Sequence, residues 1–284
     1  MTPRKSPNAA RQATLGVIIP AFNEEATIAE VLERVLAQSC VHQVVVVDDG
    51  STDGTLDGLR RFQTDGRVTV EQHPRNRGKG AAIRTALALV RTPIVLVQDA
   101  DLEYDPAEYE QLINPIADGR ADVVYGVRGF LGHTAYSYWF VVGNRLVTTA
   151  ANMLFNCYIH DLETGFKAMR TELMRRLGLH GNRFEIEPEI TARLLRLGYR
   201  IHEVPISYYA RSREEGKKLT WRDGLMALIT LLRLRLTPRQ RLFGRLDDYH
   251  QARLSELARA SRLPQPPAER PVDLVSTRRK PSLR

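Results

Sequence analysis

The chain has 284 residues, 43% of them hydrophobic and 26% charged, which is enough for a substantial core and argues against a chain disordered throughout. Its two cysteines, Cys40 and Cys157, lie far apart in apolar surroundings, which argues against a disulfide framework or a thiolate metal site. The formal net charge of +8 gathers at the ends, in Arg4, Lys5 and Arg11 and in Arg270, Arg278, Arg279, Lys280 and Arg284; no nucleic-acid reading motif accompanies it, so no specific nucleic-acid partner is expected.

Residues 1–12 read as a disordered polar leader without the apolar run of a signal peptide. Leu15-Gly16-Val17-Ile18-Ile19-Pro20 is too short and too β-branched for a helix and predicts a buried strand. Apolar residues at Ile28, Val31, Leu32, Val35 and Leu36 give residues 25–38 the period of an amphipathic helix. Strands at 44–47, 68–70 and 94–97 then alternate with helices at 52–62 and 81–90. That alternation predicts an α/β fold: a doubly wound, mostly parallel sheet flanked by helices.

Beyond Asp101 the pattern changes to a strand at 122–126, a helical stretch at 136–159, a helix at 187–197 and a strand at 200–206. A basic loop and an amphipathic helix over 221–236 follow. From 237 Pro and Arg become frequent, with one helix expected from 247 to about 260 and disorder beyond 264. One domain is therefore expected over 13–236, between the leader of 1–12 and a Pro/Arg-rich tail of 237–284. No run reaches the roughly 20 apolar residues of a membrane span; the nearest, 129–160, is interrupted by Asn144, Arg145, Asn152 and Asn156.

Ligands of wound sheets bind at the carboxyl ends of the strands, and three polar clusters fall there. Asn23-Glu24 follows the first strand, Asp48-Asp49-Gly50-Ser51 the second and Asp99-Ala100-Asp101-Leu102-Glu103 the fourth. Two carboxylates flanking one small residue can aim oxygens at a hard cation, Mg²⁺ or Mn²⁺, which takes one or two carboxylates plus substrate phosphates. Asp49 exceeds what a capped turn needs and can accept hydrogen bonds from a base or ribose. Asn76-Arg77-Gly78-Lys79-Gly80 sets a cation between glycines at a helix start, which suits a phosphate, although the spacing is not that of a Walker loop.

Taken in order, Val17-Ile18-Ile19-Pro20-Ala21-Phe22-Asn23-Glu24, the stretch 48–55, Asn76 to Gly80 and Asp99 to Glu103 resemble the family-two glycosyltransferases of the GT-A fold. The resemblance extends over roughly residues 14–236 and is strongest to the polyprenol-phosphate (dolichol-phosphate) mannosyl and glucosyl synthases. It implies an enzyme that moves a sugar from a nucleotide-sugar donor. Pro20, Phe22 (where a Tyr is usual) and Glu24 match the motif that holds the nucleoside, and Val47 and Asp49 the positions that contact the base. Asp99 and Asp101, with Ala100 between them, match the donor and metal motif, and Glu103 falls at a further metal ligand. Lys79 is expected on the donor's phosphates. Arg128 matches an arginine that meets phosphate.

Arg211 and Lys217 have the spacing of the family's basic acceptor loop, but Gly216-Lys217-Lys218-Leu219 departs from the usual form and leaves Lys217 or Lys218 open. Asp161-Leu162-Glu163-Thr164-Gly165-Phe166-Lys167 resembles a further family motif, in which Asp161 is expected to face donor or acceptor and Glu163 to cap or to pair with a cation. The acids of 184–189 read as complements to a helix dipole. The expected acceptor is a lipid phosphate at the cytoplasmic face of a membrane. Two stretches suit peripheral contact: the stripe Leu225, Leu228, Ile229, Leu232 and Leu236 flanked by Arg222, Arg233 and Arg235, and residues 139–158. Helices covering the enzyme's own core, or a dimer interface, explain those stripes nearly as well, and a soluble acceptor or a non-enzymatic nucleotide-binding protein are the alternatives in function.

Overall fold

Strand β1 (Leu15–Ala21) is sandwiched between helices on both faces, which is why its residues are apolar without alternation. Strands β2 (Val41–Asp48) and β4 (Ile94–Val97) pair with it in parallel, and β3 (Val68–Gln72) adds beyond β2. The computed structural model describes residues 14–129, 138–210, 221–244 and 250–255. Among them the sheet has seven strands in the order β3-β2-β1-β4-β6-β5-β7. β5 (Val123–Arg128) and β7 (His202–Ile206) pair in parallel.

The one departure from parallel pairing is β6 (Lys167–Arg170), which runs antiparallel between β4 and β5. Sequence reasoning did not mark it, because its Lys and Arg look like a surface segment. Also unforeseen are the helices α4 (Tyr109–Ala117), whose Asn114-Pro115 breaks the apolar pattern, α6 (Thr171–Arg176) and α9 (Arg239–Phe243). The remaining helices, α1 (Ile28–Leu36), α2 (Thr55–Arg60), α3 (Lys79–Leu89), α5 (Tyr138–Phe155), α7 (Ile186–Leu197) and α8 (Trp221–Leu236), fall where periodicity puts them, with ends shifted by a few residues. The described part of the expected tail helix, 250–255, is helical.

Alternate residues of the strands feed two cores. Val17 and Ile19 of β1 and Val44 and Val46 of β2 pack with α1, α2 and α4, while Ile18, Val45 and Val47 pack with α3, α6 and α7. A third cluster joins α5, α7 and α8 through Val147, Ala151, Ala192, Ala227, Leu231 and Leu234. Those inward positions of α8 are not the predicted stripe. Leu225, Leu228, Ile229, Leu232 and Leu236 are all exposed, Leu236 at 73%, so the stripe does not cover the core formed by the described residues. None of the described helices is long and apolar enough to cross a membrane.

Candidate active site

The loops at the strand ends are tied to one another by side chains that sequence motifs place there. Asn23 N–H donates to Ser51 Oγ and its Oδ1 accepts from Thr52 N–H, while Glu24 N–H donates to Thr55 Oγ1. Thr27 Oγ1 donates to the Ala100 carbonyl at 2.7 Å, which joins the first loop to the Asp99–Asp101 segment. In that segment Leu102 takes φ +59°, a conformation costly for a side-chain-bearing residue, and the turn lets Glu103 N–H donate to Asp101 Oδ1.

The result is a cavity of about 940 Å³, a size suited to a nucleotide-sized ligand. Pro20, Phe22, Glu24, Asp49, Lys79, Asp99, Ala100, Asp101, Glu103 and Arg128 all line it, so the three acidic clusters of the sequence meet on one rim. Tyr104, Glu163, Arg183, Phe184, Glu187, Tyr208 and the start of α8 at Trp221-Arg222-Asp223 also line it. Arg211, Lys217 and Lys218 lie outside the described residues.

Several residues sit differently from expectation. Val47 does not reach the cavity: its side chain is fully buried, because strand alternation turns it into the core against α3. Asp49 lines the cavity, but its oxygens already accept from His73 Nδ1 at 2.6 Å and from the Arg77 and Gly78 amides. Its carboxylate thereby holds the 76–80 loop in place. Within that loop Gly78 has φ +98°, and a Cβ there would lie 2.3 Å from the Asn182 carbonyl oxygen. The glycine therefore permits a backbone-to-backbone approach onto the 181–182 loop, which carries Arg183 and Phe184 to the cavity.

Lys79 is a first-turn residue of α3 whose ammonium bridges Asp99 Oδ1 at 2.7 Å and Glu187 Oε1 at 3.0 Å. Burial pulls its pKa down, but Asp99 and then Glu187 outweigh that and hold it well above the ordinary lysine value. Glu187 also pairs with Lys167, whose ammonium in turn donates to the Thr164 carbonyl. Burial pushes the Glu187 carboxyl up, yet Lys167 and Lys79 bring it below the usual carboxylate value. Glu187 was expected to serve only the α7 dipole; its position in the cavity depends on two lysines from distant segments, which local pattern does not reveal.

Asp161 is the clearest correction. It is fully buried and lies behind Arg128, which meets it at 2.6 and 2.7 Å through Nε and Nη2, with Asn144 Nδ2 donating as well. Burial raises its pKa, and the Arg128 charge and hydrogen bonds overcome that, leaving it below the ordinary value. A carboxylate so enclosed faces Arg128 and does not line the cavity. Arg128 lies on the cavity wall, its guanidinium 5.0 Å from the Tyr208 ring centroid.

The acidic segment also departs from a three-carboxylate cage. Among the described residues no group of three or more His, Cys, Asp or Glu side chains is arranged to hold a metal. Asp99 Oδ1 faces Lys79, and Glu103 Oε2 accepts from the Tyr208 hydroxyl at 2.6 Å. This arrangement still fits a cation that takes one or two protein carboxylates and completes its shell with phosphate and water oxygens.

Parallel strands whose carboxyl ends open on a carboxylate-rimmed cavity define an α/β fold of the GT-A kind. Within that class the chain belongs to the glycosyl transferase family 2, whose profile matches residues 16–178. It is 33% identical over 213 residues to a polyprenol monophosphomannose synthase of Mycolicibacterium smegmatis, covering 70% of this chain and 78% of that one. It is also 33% identical over 201 residues to a dolichyl-phosphate hexose transferase of Haloferax volcanii, covering 70% and 85%. The UDP complex of glucosyl-3-phosphoglycerate synthase from Mycobacterium tuberculosis superposes with a TM-score of 0.62 at 27% identity, covering 80% of this chain and 81% of that one. That synthase has also been solved with Mn²⁺ or Mg²⁺ beside UDP, and with phosphoglyceric acid.

Proposed function

We propose that this glycosyltransferase moves a hexose from a nucleotide-diphosphate donor to a polyprenyl-type phosphate at the cytoplasmic face of a membrane, with inversion. The observation that carries the reading is the juxtaposition in one cavity of the Asp99–Asp101 rim and the first turn of α8, whose outward face is apolar. A lipid phosphate then has a route from the bilayer surface to the donor. The names of the two relatives, a polyprenol monophosphomannose synthase and a dolichyl-phosphate hexose transferase, favour the same acceptor.

In this reading an acceptor phosphate oxygen attacks the anomeric carbon, the bond from that carbon to the diphosphate breaks, and the diphosphate leaves with the electron pair. The acceptor oxygen is already ionised, so no general base is required, consistent with an enclosed Asp161. Asp101, with Asp99 beside it, would hold Mg²⁺ or Mn²⁺, which would neutralise charge on the departing diphosphate. Arg128, which lines the same cavity, would meet a phosphate. The loop carrying Arg211, Lys217 and Lys218 would grip the acceptor, since Tyr208 before it and Trp221 after it both line the cavity. Pro20, Phe22 and Glu24 would flank the nucleoside.

The test is transfer of label from UDP-glucose and GDP-mannose, with Mn²⁺ or Mg²⁺, to a polyprenyl phosphate or to phosphoglyceric acid. Labelled lipid is the expected product; labelled phosphoglyceric acid instead would overturn the lipid acceptor and leave the transferase. The membrane part is tested by flotation with anionic liposomes. The full chain is expected to float, and Leu225→Glu/Ile229→Glu to stay in the soluble fraction without loss of thermal stability, because both side chains already face water.

A further inference from the structure

One carboxyl in the cavity wall has no partner that explains it. Glu163 lines the cavity, and its Oε1 is buried with no hydrogen-bond partner among the described residues. The cations around it are engaged with other acids: Arg128 of β5 with Asp161, Lys167 of β6 with Glu187 of α7, and Lys79 with Asp99 and Glu187. A buried carboxyl oxygen left in this way is costly to the fold, so its presence calls for a ligand group. The same turn presses onto the donor segment, since a Cβ on Gly165 would lie 2.5 Å from Asp99 Oδ2. Glu163 thus shares the cavity with the carboxylates assigned to the diphosphate, two residues before the glycine that packs on Asp99.

We propose that Glu163 binds a hydroxyl of the transferred hexose, so that it recognises the sugar half of the donor and not the nucleotide half. This rests on the nucleotide-sugar reading of the cavity. Burial raises the Glu163 carboxyl, Lys167 and Arg128 draw it down, and Glu187 and Asp161 push it up, to about 7. A sugar hydroxyl donating to the ionised form stabilises that form, so binding the sugar releases a proton near neutrality. The sugar's share of the affinity consequently rises between pH 6 and pH 8.

The experiment is calorimetric titration of the full chain, with Mn²⁺, against UDP, UDP-glucose, GDP and GDP-mannose at pH 6, 7 and 8. For whichever nucleotide binds, Glu163→Gln is expected to keep the diphosphate's Kd. It is expected to weaken the nucleotide sugar about tenfold or more at pH 8 and to remove the pH dependence of the ratio between the two. Unchanged nucleotide-sugar affinity and an unchanged ratio across pH would overturn the assignment of Glu163 while leaving the nucleotide site standing. Failure of the unmutated chain to bind any of the four would overturn the nucleotide-sugar reading itself and this inference with it. A Glu163→Asp variant that restores the pH dependence with a weaker sugar contribution would support it.

Discussion

Asp101→Ala is expected to lower kcat/KM for sugar transfer at least about a thousandfold. The carboxylate is half-buried on the cavity rim, where it accepts from the Glu103 amide. Its expected chemical role is large, because a departing diphosphate carries charge that must be offset as the glycosidic bond breaks, and a bound cation supplies several kcal/mol of that offset. Asp99→Asn should act differently. It removes an anion from Lys79, so it should cost stability as well as rate. Steady-state kinetics with and without chelator, beside thermal melts, separate the two. Metal-stimulated turnover of Asp101→Ala at the unmutated level would remove the assignment.

The difference between these two aspartates was not visible in the sequence, although the cluster was. Strand ends, helix periods and the Asp-Ala-Asp spacing are local properties of the chain, so the wound sheet and the acidic rim could be read directly. The partner of each acid is not local. Lys79 lies 20 residues from Asp99 and more than 100 from Glu187, and only the fold brings the three together. The same reason explains the misjudged Asp161, whose partner Arg128 lies across an intervening helix, and Val47, whose orientation follows from which face of β2 meets α3. The antiparallel β6 escaped notice because Lys167 is among the most deeply buried side chains, satisfied by Glu187 and Thr164, and buried lysines contradict the usual pattern.

Arg128→Met is expected to destabilise the protein by about 3–5 kcal/mol, the range for removing one partner of a buried ion pair. Asp161 would be left fully buried, without a counter-charge, accepting from Asn144 Nδ2 and the backbone amide of residue 128. The sign of the pH dependence is the sharper test. In the unmutated chain the Asp161 carboxyl is held below its ordinary value, so the pair's stabilisation is complete above that value and is lost as acid protonates the folded state. Without Arg128 the dominant influence is burial, which raises the carboxyl above its ordinary value, so the folded variant binds a proton that the unfolded chain has released. Stability of the variant should therefore fall as pH rises through that window, opposite to this pair's contribution in the unmutated chain. Urea unfolding at pH 4, 5, 6 and 8 measures both slopes. Arg128→Met/Asp161→Leu should regain most of the lost stability and lose the reversed slope, because no buried charge remains, yet it should stay poor in transfer if Arg128 meets phosphate. A double variant with full turnover would reduce Arg128 to a structural partner of Asp161.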